Sequence, residues 1–142
     1  MINVNEIMST ELITLEPGDS VSKAAETMTK NNIRHIPVVD PQNQVIGIIS
    51  QRDVLKAGAF SSQISKPTLD CPISDIMTEE ILTTHPKDSL RAAGLTLQKH
   101  KYGCLPVVDN DVLVGIITDS DFVGVAINLI EEQDSYEDLE VG

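Results

Sequence analysis

Two pairs of side chains share one spacing: Ser50-x-x-Asp53 and Thr118-x-x-Asp121. Each sets a hydroxyl and a carboxylate about one helical turn apart, just after a β-branched run. A hydroxyl there can donate to a phosphate oxygen, and a carboxylate can accept from both hydroxyls of a ribose. A helix that starts at this point adds free N–H groups and a partial positive charge, which suit an anion. The same spacing has a simpler use, in which Asp53 and Asp121 cap their own helices and Ser50 and Thr118 bond locally. A catalytic carboxylate pair is the other use open to Asp53 and Asp121, and ligand binding explains them better. No Ser-His-Asp or Cys-His arrangement can be drawn, and His35, Cys71, His85, His100 and Cys104 make no HxxxH or CxxC pair, so neither an enzyme nor a metal site is expected.

The elements that carry these pairs occur twice. Ile7-Met8 recurs as Ile76-Met77, Thr14 as Thr83, Pro17 as Pro86, and Pro37-Val38-Val39-Asp40 as Pro106-Val107-Val108-Asp109, all at an offset of 69. One residue is then lost, and Gly47-Ile48-Ile49-Ser50 meets Gly115-Ile116-Ile117-Thr118. Over positions 7–40 and 45–53, 18 of 43 pairs are identical, which makes the chain two copies of one unit. The division this predicts is 1–58, a linker from Ala59 to Ser74, 75–130, and an acidic tail at 131–142.

Each copy reads as strand, helix, strand, strand, helix. Ile13 and Leu15, and Leu82 in the second copy, are expected in a short strand before the proline. Asp19-Ser20 and Asp88-Ser89 are N-cap candidates. Val21, Ala24, Ala25 and Met28, and Leu90, Ala93, Gly94 and Leu97, fall at i, i+3, i+4, i+7, one face of a helix. Two β-branched runs around Pro41-Gln42-Asn43-Gln44, and around Asp109-Asn110-Asp111, read as hairpins. Second helices are expected from Asp53 and Asp121, the last spanning Phe122 to Ile130, with the acidic tail extending it and then fraying, or serving association. The fold class is α+β: two βαββα repeats, each too small for a core of its own, packed with pseudo-two-fold symmetry and clefts between them.

Composition narrows the partners. Ten Lys and Arg face 22 Asp and Glu, a net charge of −12, of which residues 131–142 supply six acids and no base. Nucleic-acid polymers and anionic membrane surfaces attract cations, so both are disfavoured. No apolar run reaches the length of a membrane span, the N-terminus lacks a secretory pattern, and two scattered cysteines fit a reducing cytoplasm.

These motifs, in this order twice, resemble the cystathionine-β-synthase-type (CBS) domain pair, or Bateman module. The carriers are Ile7-Met8 with Ile76-Met77, Thr14 to Pro17 with Thr83 to Pro86, His35-Ile36-Pro37-Val38-Val39-Asp40, Gly47-Ile48-Ile49-Ser50-Gln51-Arg52-Asp53, and their second-copy partners. The chain is similar to the small stand-alone members, those named for acetoin utilisation among them. The resemblance implies a disc of two motifs, discs paired as a homodimer, and regulatory binding of AMP, ADP, ATP or S-adenosylmethionine, with no cofactor required and an effector protein unknown. It implies a first site of Thr14, His35, Ile36 and Pro37 with Ser50 and Asp53, and a second of Thr83, Tyr102, Gly103, Cys104, Leu105 and Pro106 with Thr118 and Asp121. Arg34 and Arg52 beside Ser50 give the first site the phosphate partners that Gly103 and Ser120 deny the second, where Asp119 next to Thr118 adds a like charge that disfavours a polyphosphate. The first is therefore expected to take the more phosphorylated ligand, unless Lys99 and Lys101 face the second. A ligand-free interaction module is the alternative.

Overall fold

The computed structural model describes residues 1–59 and 69–141. In chain order it holds a 3-10 turn (Val4–Glu6), α1 (Val21–Asn31), β1 (His35–Val39), β2 (Val45–Ser50), α2 (Gln51–Ala59), a second 3-10 turn (Ile73–Asp75), α3 (Leu90–His100), β3 (Cys104–Asp109), β4 (Val112–Thr118) and α4 (Asp119–Val141). The expected linker falls mostly on 60–68, outside the described residues.

The two hairpins, β1–β2 and β3–β4, share one register: Val38 faces Gly47 and Val107 faces Gly115. The expected first strands are reduced to one bridging residue each. Leu15 bridges Val38 in parallel and Thr84 bridges Val107 in the same way. Leu82, expected in that strand, is 38% exposed, and the buried position belongs to Thr84. Thr84 is tolerated inside because its hydroxyl donates to Asp88 Oδ2 at 3.0 Å.

Ser20 and Ser89 are the N-caps, accepting from the N–H of Lys23 and Ala92 at 3.0 Å each. Their neighbours Asp19 and Asp88 close the preceding turns instead, accepting from Glu16 and His85 N–H. Behind them Val21, Ala24 and Met28 are buried on α1, and Leu90, Ala93 and Leu97 on α3, as the periodicity predicts. The second helices begin two residues earlier than expected, at Gln51 and Asp119. The acidic tail extends the last helix, with α4 running from Asp119 to Val141, 23 residues in all. Phe122 and Val125 hold its start to the second core. Among the described residues no helix is long and apolar enough to cross a membrane.

The lead-in segments cross between repeats. Val4, wholly buried, packs in the core of α3, β3 and β4 with Ile7 and Met8 at its edge. Ile73, also wholly buried, packs in the core of α1, β1 and β2 with Cys71, Ile76 and Met77. Backbone bonds fix both crossings: Val4 N–H to Asp88 C=O and Ile73 N–H to Asp19 C=O, at 2.9 and 2.8 Å. Further along, Ser9 and Ile116 exchange both N–H···O=C bonds on the edge of β4, and Thr78 and Ile48 do so on the edge of β2. Neither repeat's core is complete without the other's lead-in, so the two copies are one folding unit.

Candidate functional site

At the end of β2, Ser50 and Asp53 form a reciprocal box. Ser50 Oγ accepts from Asp53 N–H at 3.1 Å and the Asp53 carboxylate accepts from Ser50 N–H at 2.9 Å. At the second junction Thr118 N–H likewise donates to Asp121 Oδ2 at 2.8 Å, but the Thr118 hydroxyl donates to the same oxygen, at 3.3 Å, where the Ser50 hydroxyl accepts. The simpler use of the spacing is therefore realised in both copies. One carboxylate oxygen of each Asp lies outside these bonds, and both residues remain half-buried.

The Ser50–Asp53 box opens onto a cleft of about 580 Å³ between the repeats. One wall is Arg34, His35, Ile48, Ser50, Gln51, Arg52, Asp53, Leu55 and Lys56, from β1, β2 and α2. The facing wall is Thr78, Glu80, Ile81 and Leu82 from the second lead-in, with Lys101, Tyr102, Gly103, Cys104 and Asp119 from the second repeat. The cleft thus unites residues expected at two separate sites: Arg34, His35, Ser50, Arg52 and Asp53 with Tyr102, Gly103 and Cys104. Thr14, Ile36, Pro37, Thr83, Leu105, Pro106, Thr118 and Asp121 do not line it. Ile36, Pro37, Leu105 and Pro106 are buried in the hairpins, with the Ile36 and Leu105 side chains in the two cores. Thr118 and Asp121 stand at the equivalent junction of the other repeat.

The two walls touch where His35 meets Gly103. A Cβ at Gly103 would stand 2.9 Å from the imidazole, and its φ of +79° also favours glycine. Burial pushes the His35 pKa below its ordinary value; Asp119, the Tyr102 backbone carbonyl and Asp53 oppose the shift and Arg34 adds to it. At neutral pH the imidazole is therefore uncharged. Cys104 beside it is pushed up to about 12, chiefly by burial and also by Asp119, so its thiol is not a nucleophile. Tyr102 offers an aromatic face, stacked on His100 at 5.7 Å between centroids.

Lys56 and Leu55 were missed in the sequence although both lie within one turn of Arg52 and Asp53 on α2, a signal that helical spacing carries. Glu80, Ile81 and Leu82 had no such signal, because chain folding alone brings them into the cleft with Ser50, and Asp119, expected at the second site beside Thr118, lines this cleft instead. A shallower hollow of about 720 Å³ runs along α4, lined by Asn128, Glu131, Glu132, Ser135, Tyr136 and Leu139. With no cation on it, it offers an anion nothing.

A model of the CBS domain matches residues 4–59 and again 73–128, most of the chain. The chain belongs to the CBS-domain family. Its tandem CBS repeats superpose on a crystal structure of a protein named for acetoin utilization (AcuB) from Vibrio cholerae, with TM-score 0.83, 42% identity, and 95% of this chain and 97% of that one covered. The CBS domain pair of protein MJ0100, solved with 5'-methylthioadenosine and S-adenosyl-L-methionine, matches at TM-score 0.80 and 29% identity, covering 90% and 98%. CBSX2, solved with AMP, matches at 0.79 and 26%, covering 91% and 98%. A homoserine O-acetyltransferase of Methanococcus vannielii is 34% identical over 116 residues, 81% of this chain. The chain spans only 23% of that enzyme's length.

Proposed function

We propose that the protein is a regulatory sensor that binds an adenosine-containing ligand (AMP, ADP, ATP or S-adenosylmethionine) in the cleft beside Ser50 and Asp53. The observation that carries this is the Ser50–Asp53 box opening onto a cleft with walls from both repeats. Asp53 clamps the ribose hydroxyls, Ser50 and the start of α2 receive phosphate, and Ile48, Ile81, Leu82 and Tyr102 supply apolar and aromatic surface for the base. Solved relatives bound to AMP and to S-adenosyl-L-methionine support the ligand class. The proposal assigns the chain no catalytic step and sets it in the cytoplasm as a homodimer. Regulation follows if the ligand binds one arrangement of the repeats better than another.

A thermal-shift panel of AMP, ADP, ATP, NAD and S-adenosylmethionine tests the reading. A ligand at 100 times its dissociation constant stabilises by about 2.7 kcal/mol, roughly 5–10 °C for a chain of this size. The alternative, a ligand-free interaction module, is favoured by the exposed Val123, Ile127, Ile130, Tyr136 and Leu139 of α4. No shift with any of the five ligands at millimolar concentration selects it.

A further inference from the structure

The cleft is a concentration of positive charge on an acidic protein. Of the chain's ten Lys and Arg, four line it: Arg34, Arg52 and Lys56 from the first repeat and Lys101 from the second. Only three acids, Asp53, Glu80 and Asp119, accompany them, on a chain that carries 22. Among the described residues Lys23 forms an ion pair with Asp19 and His85 hydrogen-bonds Asp109, and none of the four cleft cations takes part in an ion pair. All four are exposed. Like charges gathered in a concave site repel one another and raise the local concentration of anions.

The internal repeat supplies the control. At the positions equivalent to Arg34, Arg52, Lys56 and Lys101 stand Gly103, Ser120, Gly124 and Asn32, none of them charged. Of the three acids, two are kept, Asp121 for Asp53 and Glu11 for Glu80, whereas Gln51 stands at the position equivalent to Asp119. The folding scaffold therefore does not require the cations, since the other half builds the same hairpin and helix without them. Lys101 and Asn32 make the same point sharply. Both end a helix in the left-handed conformation, with φ of 56° and 53°, so the backbone is common and only the charge differs.

We infer that the Ser50–Asp53 cleft selects a ligand bearing a phosphate chain, a nucleoside di- or triphosphate, held by a cation cluster to which Lys101 contributes from the opposite repeat, and that the Thr118–Asp121 side does not. The nucleoside part of this inference rests on the adenosine reading above; the phosphate part rests on the charges. Because Lys101 stands across the cleft from Arg52 and Lys56, the phosphate chain ties the two repeats together, and a neutral adenosine derivative does not.

The test is calorimetry on the full chain at two salt concentrations with adenosine, AMP, ADP, ATP and inorganic tripolyphosphate, repeated on Lys101→Asn. That substitution copies the first repeat's own residue at a left-handed position, so folding is undisturbed. The expected result is affinity rising with phosphate number and falling with salt, with ATP weakened about tenfold or more in Lys101→Asn, the scale of one charge-assisted hydrogen bond, and adenosine or AMP affected far less. Equal affinity for adenosine and ATP, or an equal loss of both in the variant, overturns the phosphate inference and leaves the adenosine reading standing. Binding of tripolyphosphate without any nucleoside preference overturns the adenosine reading and leaves the cation cluster standing. Binding of neither overturns both.

Discussion

The sulfur of Met77 occupies the space that a side chain at Gly47 would need. A Cβ at Gly47 would lie 2.7 Å from Met77 Sδ and 3.0 Å from the Thr78 carbonyl oxygen. That carbonyl accepts the Ile48 N–H at 2.9 Å, so the contact sits on the bond that ties the second lead-in to β2. Met8 and Gly115 repeat the arrangement, with 2.6 Å to Met8 Sδ. Gly47→Ala is expected to destabilise the fold by about 1–3 kcal/mol, the scale of overpacking. Combined with Met77→Ala, its cost should fall below the sum of the two single costs. Denaturant titration of the four proteins of that cycle measures the coupling, and additive costs would refute the contact.

The crossing of lead-ins is tested at Ile73. Ile73→Ala removes a wholly buried side chain and is expected to cost about 2–5 kcal/mol. The hydrogen-exchange protection it loses first should be that of Ile36, Ile48 and Ile49 in β1 and β2, since Ile73 packs in that core. Loss confined to β3 and β4 would contradict the crossing.

Asp53→Ala and Asp121→Ala each remove a helix-capping carboxylate, and each should cost about 1 kcal/mol of stability without ligand. They separate once ATP is added. The ATP-induced thermal shift is expected to vanish in Asp53→Ala and to persist in Asp121→Ala. The reverse pattern would move the site to the other junction.

Acid should loosen the fold in two windows. The unfolded chain protonates histidine at about 6.5, whereas burial holds the native His35 pKa lower. As pH falls below that value the unfolded state takes up the proton first, so stability declines until native His35 is protonated too. His35→Gln should flatten this part of the profile, although Asp119, Asp53 and Arg34 remain around the site. A second decline lies below the ordinary carboxylate value of 3.8. Backbone bonds from Glu16 and His85 hold Asp19 and Asp88 under it, so their contribution is present above 3.8 and is lost as pH drops through their native values. Urea midpoints from pH 3 to 8 measure both windows, and an unchanged His35→Gln profile above pH 4 would refute the first.

Cys104 is buried, and its thiol is pushed up to about 12. A thiol-directed disulfide reagent at neutral pH should label it only as fast as the protein unfolds. Rapid labelling in the native state would contradict that burial.

Local spacing determined much of this protein. The offset of 69 residues gave two equivalent units, the helix faces followed from i, i+3, i+4, i+7, and Ser20, Ser89, Ser50 and Asp53 announced helix starts, because each signal needs only neighbours within a turn or a hairpin. The tertiary structure alone decided where Ile7-Met8 and Ile76-Met77 pack. Both segments are the same dipeptide, and both copies offer the same glycine, Gly47 or Gly115, to receive a methionine. The sequence is therefore degenerate between packing at home and packing across, and the path of the chain settles it. The cleft inherits that decision. Leu82 and Glu80 share the cleft with Ser50 because the second lead-in lies on β2, and Lys101 shares it with Arg52 because the repeats face each other. No spacing along the chain encodes either meeting, since each depends on contacts between segments tens of residues apart.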